Sequence, residues 1–325
     1  MGFKRINGLK IIGNLPHEAE NFLREWFDSN DYIVAHTSGS TGKPKKIHLL
    51  KEDMRISARA TNSFFSLNEN SVLACPLSAS YIAGKMMIVR AIEADAELYM
   101  EAPSNRPFQA VDFAIDFAAV VPSQLDFILT TQPEIKQLLI GGAPLDKDLE
   151  QRLTHYDFAS YLSYGMTETC SHIALRRIGE DNIYKAVNDI SFDLDDRGCL
   201  IVDSTKMSFR RLITNDIVEL SNAYSFRWLG RHDNVINSGG IKVFPEVIER
   251  KIAAVIPERE FYISCKRHDK WGETVVLVIE GPKFPTDTIN IKLRETLPPA
   301  ERPSEIFFIE KFPRTSSGKI IRQKF

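Results

Sequence analysis

The stretch "HTSGSTGKPKK", residues 36–46, follows the apolar run Tyr32, Ile33, Val34, Ala35 and packs two glycines, four hydroxyl side chains and three lysines into eleven positions. Glycines let backbone N–H groups approach an anion closely, Ser and Thr add hydroxyl donors, and Lys brings a compact positive charge. The set suits a polyphosphate. It is not a Walker A loop, which requires G-x-x-x-x-G-K-[ST]: Gly39 stands only three before Gly42, and Pro44 follows Lys43. Taken alone, such a stretch is as readily a polar surface turn, so the rest of the chain decides.

With 325 residues, 43% of them hydrophobic and 26% charged, the chain is an ordinary globular one that can bury a sizeable core. A net charge of −2 argues against nucleic acid or an acidic membrane as the main partner, since both call for a clustered basic surface. No apolar run approaches the roughly 18 residues of a membrane span. Cys75, Cys170, Cys199 and Cys265 form no CxxC pair and the seven histidines show no metal-binding spacing, which sets zinc and thioredoxin-like chemistry aside. Ser163 in "YLSYG" lacks the first glycine of a nucleophile elbow, so a hydrolase is not indicated. The first residues carry no apolar signal core, and the expectation is a cytoplasmic protein with reduced thiols working on small molecules.

Short β-rich runs alternate with helical patterns. "SVLACPL" (71–77) precedes "YIAGKMMIVRAIEAD" and "AELYM"; "IKQLLIGG" (135–142) precedes the amphipathic "DKDLEQRLTHY" and then "FASYLSYG" (158–165). That rhythm predicts an α/β architecture. After about residue 230 the texture changes: "PEVIERKIAAVI" opens with Pro245 in a favoured first-turn position, "TVVLVIEG" reads as a buried strand, and a strand and a polar loop close the chain. A large domain over 1–230 and a small α+β domain over 231–325 are expected.

Together the motifs resemble the adenylate-forming superfamily of acyl-CoA synthetases, peptide-synthetase adenylation domains and luciferases. Its phosphate loop reads roughly [YH]-T-S-G-[ST]-T-G-x-P-K, which "HTSGSTGKPK" matches throughout. "GGAP" (141–144), "YGMTET" (164–169), "GRHDNVINSGGIKVFPEVIE" (230–249) and "PRTSSGKIIR" (313–322) then follow in the family's order. The resemblance implies a large N-terminal α/β domain, shortened at its front end, and a small, mobile C-terminal α+β domain. The implied reaction has two steps: a carboxylate and ATP give acyl-AMP and pyrophosphate, then a thiol displaces AMP.

Carried over residue by residue, the resemblance puts Thr37, Ser38, Gly39, Ser40, Thr41, Gly42 and Lys45 on the ATP phosphates, with His36 in a structural place. Gly141, Gly142, Ala143, Pro144, Tyr164 and Gly165 fall at the adenine, Thr167 at the phosphates, and Glu168 on Mg²⁺. A hard cation bridging phosphates does call for carboxylate and hydroxyl oxygens. Asp216 in "LITNDIVEL" and Arg231 would hold the ribose, although Asn215 replaces the usual glycine before Asp216. Asp233 falls on the hinge, Gly239 and Gly240 on the tunnel that admits the pantetheine arm of CoA, and Lys319 on the C-terminal catalytic lysine. A positioned ammonium offsets the repulsion between carboxylate and phosphate as pyrophosphate leaves.

The compact chain and its segment "PLSASYIAGKMMIVRA" look like o-succinylbenzoate-CoA ligases of menaquinone biosynthesis. Tyr81 takes the place of a histidine frequent in the family, before Gly84. Arg90, six residues after that glycine, matches a basic position read as the partner of a substrate carboxylate; the alternative is an arginine that caps a helix or forms a surface pair. Ser78, Ser80 and Lys85 are further pocket neighbours. The diacid fits a cation at the pocket's end, because one carboxylate reacts while the other needs a partner. Also in view are another aryl or acyl acid-CoA ligase, a carrier-protein-charging enzyme docking on Lys242, Arg250 and Lys251, and a non-catalytic nucleotide-binding homologue; a homo-oligomer is left open. Lys319→Ala is expected to lose most adenylate formation while preformed acyl-adenylate is still converted to thioester. Separate assays of the two half-reactions check this, and equal losses in both would contradict it.

Overall fold

A computed structural model describes residues 4–36, 46–256, 259–314 and 320–325. In chain order the elements begin β1 (Lys4–Ile6), β2 (Leu9–Ile12), α1 (His17–Trp26), β3 (Tyr32–His36), β4 (Lys46–Leu50), α2 (Lys51–Phe65), β5 (Val72–Cys75), α3 (Ile82–Ala94), β6 (Glu97–Met100), β7 (Ile115–Val120) and α4 (Leu125–Thr131). Next come β8 (Ile135–Ile140), α5 (Lys147–Leu153), β9 (Ala159–Gly165), β10 (His172–Arg177), β11 (Tyr184–Ala186), β12 (Ile190–Leu194), β13 (Cys199–Ser204), β14 (Arg211–Asn222) and β15 (Ser225–Arg231). The last are β16 (Ile236–Ser238), β17 (Ile241–Val243), α6 (Pro245–Ile252), β18 (Phe261–His268), β19 (Gly272–Glu280), α7 (Asp287–Thr296) and β20 (Glu305–Ile309).

Thirteen strands form one sheet in the order β1-β2-β6-β5-β7-β8-β9-β10-β11-β15-β14-β13-β12. From β2 to β9 neighbouring strands run parallel, and from β9 onward they are antiparallel. The parallel strands are nearly continuous apolar runs because helices cover both faces. Side chains alternate accordingly: Leu73, Cys75, Phe117 and Ala119 join the core under α1, α2 and α3, whereas Ala74, Ala118 and Val120 join that under α4 and α5.

Helix α2 buries Met54, Ala58, Thr61 and Phe65, spaced along one face. The middle of helix α3 is enclosed, with every residue from Gly84 to Ala91 buried, so a charge placed there is costly unless it finds a partner. The helix after "GGAP" starts at Lys147, where the Asp146 side chain accepts the Leu149 N–H and caps it.

Strands β16 to β20 make a separate sheet, with β20 parallel to β19, and their core draws on Ile236 to Leu297 together with α6 and α7. The two sheets part between Arg231 and Ile236, the interval that holds Asp233. Among the described residues, no helix is long and apolar enough to cross a membrane.

Close approach of backbone fixes one glycine. A Cβ on Gly84 would stand 2.3 Å from the Ser78 carbonyl oxygen and 2.8 Å from the Ala79 nitrogen. Gly84→Ala is therefore expected to destabilise the fold by about 2 kcal/mol, since main chain must shift to admit the methyl. Denaturant unfolding checks this, and an unchanged midpoint would contradict it.

Candidate active site

The carboxyl ends of β8 and β9 lie side by side. Gly141 and Gly142 follow β8, and a Cβ on Gly141 would meet Ser163 Oγ at 2.5 Å, while Ser163 itself donates to Ile140 O at 3.0 Å. Ala143 and Pro144 are exposed beyond them. In open α/β sheets ligands collect at this carboxyl edge. Here it coincides with the change from parallel to antiparallel pairing at β9.

Tyr164, near the end of β9, packs edge-on against Phe226 (centroids 5.1 Å apart) and donates its hydroxyl to Asp216 Oδ2 at 2.8 Å. Burial and the Asp216 charge push the Tyr164 phenol well above its ordinary range. Asp216 on β14 faces Arg231 on β15 directly across the antiparallel pair, with Arg231 Nη1 3.5 Å from Asp216 Oδ1. Arg231 Nη2 is 3.7 Å from Asp233, and Asn215 Nδ2 donates to the same Asp233 carboxylate at 2.7 Å. Tyr164, Asp216, Arg231 and Asp233 are thus one connected set. Asn215, the residue that departs from the family's glycine, is part of it.

After Gly165 the chain makes a short 3-10 turn, Thr167–Thr169, that leaves Glu168 exposed. Its carboxylate makes no hydrogen bond or ion pair among the described residues, and they contain no cluster of three or more acidic, His or Cys ligands. A lone outward carboxylate fits Mg²⁺ held mainly by phosphates and water rather than by a closed protein cage.

Cys170 follows with φ +61° and ψ −37°, the centre of a tight turn closed by the Ser171 N–H on Thr169 O at 2.7 Å, a strained conformation for a non-glycine residue. Ser171 and His172 come next and meet Arg90. The Arg90 guanidinium, 2% exposed, donates from Nη2 to Ser171 Oγ at 2.7 Å, approaches His172 Nδ1 at 3.5 Å, and places Nη1 3.4 Å from Met87 Sδ. Nε has no partner, and no carboxylate pairs with this cation among the described residues. Burial pushes the guanidinium down to about 10. Arg90 is neither a helix cap nor a surface ion pair.

Other acid-site expectations land differently. Lys85 is occupied: its ammonium sits 3.1 Å from Glu25 Oε2 and over the Phe22 ring. Tyr81 precedes the first turn of α3 and is 61% exposed, far from Arg90 near the other end of the helix. Ser171 and His172 carry no mark in the sequence, because only the pairing of β9 with β10 and the packing of α3 bring them to Arg90; Asn215 shows there only as a departure from the motif, not as a partner of Asp233.

Gly239 (φ +58°) and Gly240 (φ +83°) form the two-residue turn between β16 and β17, where two positive φ values call for glycine. Of the basic residues considered for protein docking, Arg250 donates to Trp228 O and Lys251 pairs with Glu301 at 2.6 Å, leaving Lys242 as the exposed one. Thr37, Ser38, Gly39, Ser40, Thr41, Gly42, Lys45 and Lys319 lie outside the described residues. Their flanks are placed: His36 pairs with Lys46 at the end of the β3–β4 hairpin, and Arg314 pairs with Ile320.

Burial and the Arg90 charge hold the His172 imidazole well below its usual 6.5. Below that pH the unfolded chain binds a proton that the folded chain excludes, so stability falls as the pH is lowered. As the pH falls through 6.5, the protein should lose stability more steeply than His172→Asn, which urea unfolding at each pH measures. Parallel pH dependences would contradict this.

The AMP-binding enzyme family matches residues 10–206. A 2-succinylbenzoate–CoA ligase of Listeria monocytogenes is 26% identical over an alignment covering 96% of this chain and 73% of that relative. The crystal structure of an AMP-forming acyl-CoA synthetase/AMP-acid ligase II-like protein from Dyadobacter fermentans is 35% identical, with a TM-score of 0.63, over 93% of this chain and 91% of that one. An o-succinylbenzoate coenzyme A synthetase from Bacillus subtilis, solved with ATP and magnesium ion, has a TM-score of 0.78 at 20% identity, over 89% of this chain and 68% of that one. The length of the family match and the 35% identity to the Dyadobacter protein establish that this chain belongs to the AMP-binding enzyme family.

Proposed function

We propose that the protein is an AMP-forming acid–CoA ligase whose acid is 2-succinylbenzoate. The observation that carries this reading is the buried Arg90 guanidinium, whose charge meets no carboxylate among the described residues. A buried cation without a counter-ion is costly, and a substrate anion would supply what the fold omits. A monocarboxylic acid spends its single carboxylate on the reaction. A diacid brings a second one for Arg90, and the Listeria relative is named for such an acid.

In the adenylation step the reacting carboxylate oxygen attacks the α-phosphorus of ATP, the bond to the β-phosphate oxygen breaks, and pyrophosphate leaves with the electron pair. Asp216 accepts hydrogen bonds from the ribose hydroxyls, held in place by Tyr164 and Arg231. Tyr164 and the Gly141–Pro144 segment border the adenine. Mg²⁺, when bound at Glu168, neutralises phosphate charge. The 37–45 segment would cradle the phosphates, and Lys319 would stabilise the charge that builds as pyrophosphate departs.

In the second step the CoA thiolate attacks the acyl carbonyl and AMP leaves. A turn of the small domain about Asp233 withdraws Lys319 and presents Gly239 and Gly240 to the pantetheine arm, a hinge motion of a common kind. In the structure Asp233 is exposed within the 3-10 turn His232–Asn234, its carboxylate held by Asn215 and Arg231, a short junction between the two sheets that suits a hinge.

The test is AMP and pyrophosphate release from ATP and Mg²⁺ with 2-succinylbenzoate, with and without CoA, for the wild type and Arg90→Ala. CoA-dependent turnover is expected, with kcat/KM falling on the order of 100-fold in the variant, because a desolvated charge pair loses one partner. Turnover of monocarboxylic acids with none of 2-succinylbenzoate would contradict the reading.

A further inference from the structure

Behind Arg90 stands a chain of groups that the reaction described above does not use. His172 Nε2 lies 3.1 Å from Thr61 Oγ1, and Thr61 Oγ1 lies 3.0 Å from Ser57 O, one helical turn earlier in α2. The Ser57 carbonyl can only accept, so the single hydroxyl proton of Thr61 goes to it. Thr61 Oγ1 therefore accepts from His172, and the imidazole carries its proton on Nε2. Its Nδ1 lone pair is left facing Arg90 Nη2 at 3.5 Å and Ser171 Oγ at 3.4 Å.

We infer that His172, set in one tautomer by Thr61, positions the Arg90 guanidinium for the second carboxylate of the substrate and thereby selects diacids over monoacids. Resting on the reading of Arg90 above, the inference adds a residue that need not touch the acid. An arginine on an enclosed helix has several rotamers and five N–H donors to spend. Nη2 is directed at Ser171 and His172, Nη1 lies against Met87, and Nε remains a buried donor without a partner among the described residues. That division of donors depends on an acceptor standing at the Nδ1 position. A doubly protonated imidazole would bring a second positive charge to Arg90 instead, and both burial and Arg90 act against that form. The main chain of Arg90 is fixed from the same helix, since Asn62 Nδ2, adjacent to Thr61, donates to Arg90 O at 2.9 Å.

The test is steady-state kinetics of His172→Leu, His172→Asn and Thr61→Val with 2-succinylbenzoate. Benzoylpropionate, which keeps the succinyl arm and lacks the ring carboxylate, serves as alternative substrate or competitive inhibitor. His172→Leu removes the acceptor and should raise KM for 2-succinylbenzoate about 10-fold, the size expected for one hydrogen bond to a charged group, with the loss falling on KM more than kcat. His172→Asn keeps an acceptor close to the Nδ1 position and should recover most of that loss. Thr61→Val frees the tautomer and should fall between the two. KM or Ki for benzoylpropionate should not follow these changes. Equal losses for both acids, or an unchanged KM in His172→Leu, would overturn the inference, the first because it marks a merely structural histidine. Arg90→Ala separates the two levels. If it leaves the preference for the diacid intact, the Arg90 reading falls and the inference with it; if it abolishes the preference while His172→Leu does not weaken it, the inference alone falls.

Discussion

A buried positive charge that meets no carboxylate among the described residues is the constraint around which this site is arranged. Arg90 lies in the buried middle of α3, and its hydrogen bonds run to a serine hydroxyl and the edge of an imidazole rather than to a carboxylate. Elsewhere among the described residues the buried cations are compensated: Lys10 has Asp95, Lys51 has Asp28, Lys85 has Glu25, and Arg176 has Glu150. Charges removed from water are normally paired in this way. The exception therefore marks the place where an anion from outside belongs.

The sheet supplies the geometry. Strands β8 and β9 end beside each other in the parallel half, and the segment after β9 turns outward at Glu168 and back inward through Cys170 before β10 begins. Within eight residues the chain passes from Gly165 to His172, so one short connection carries both the proposed metal carboxylate and the partners of Arg90. Close packing holds the connection in place: a Cβ on Gly165 would stand 2.3 Å from the Ser171 carbonyl oxygen. The antiparallel half brings Asp216 and Arg231 opposite each other, within reach of the Tyr164 hydroxyl.

Much of this was legible in the sequence because it is written in local patterns. Runs such as "VLAC" and "IKQLLI" read as strands of an α/β alternation, and the ordered signatures carry the family resemblance. The amphipathic pattern from Asp146 places α5 well, and the Asp146 carboxylate is its cap. Residues that act through tertiary contact left no local signal. His172 is 82 positions from Arg90 and 111 from Thr61, and a lone histidine on an apolar strand carries no sign of what it will face. Asn215 was noticed only as a departure from a motif. Its bond to Asp233 depends on the register of β14 against β15.

The most direct measurement is a crystal structure of the protein with 2-succinylbenzoate and ATP. The account predicts one carboxylate of the acid within about 3 Å of an Arg90 nitrogen, with the other directed to the α-phosphate. A bound acid with neither carboxylate at Arg90, or an Arg90 still without an anion in the occupied site, would contradict it.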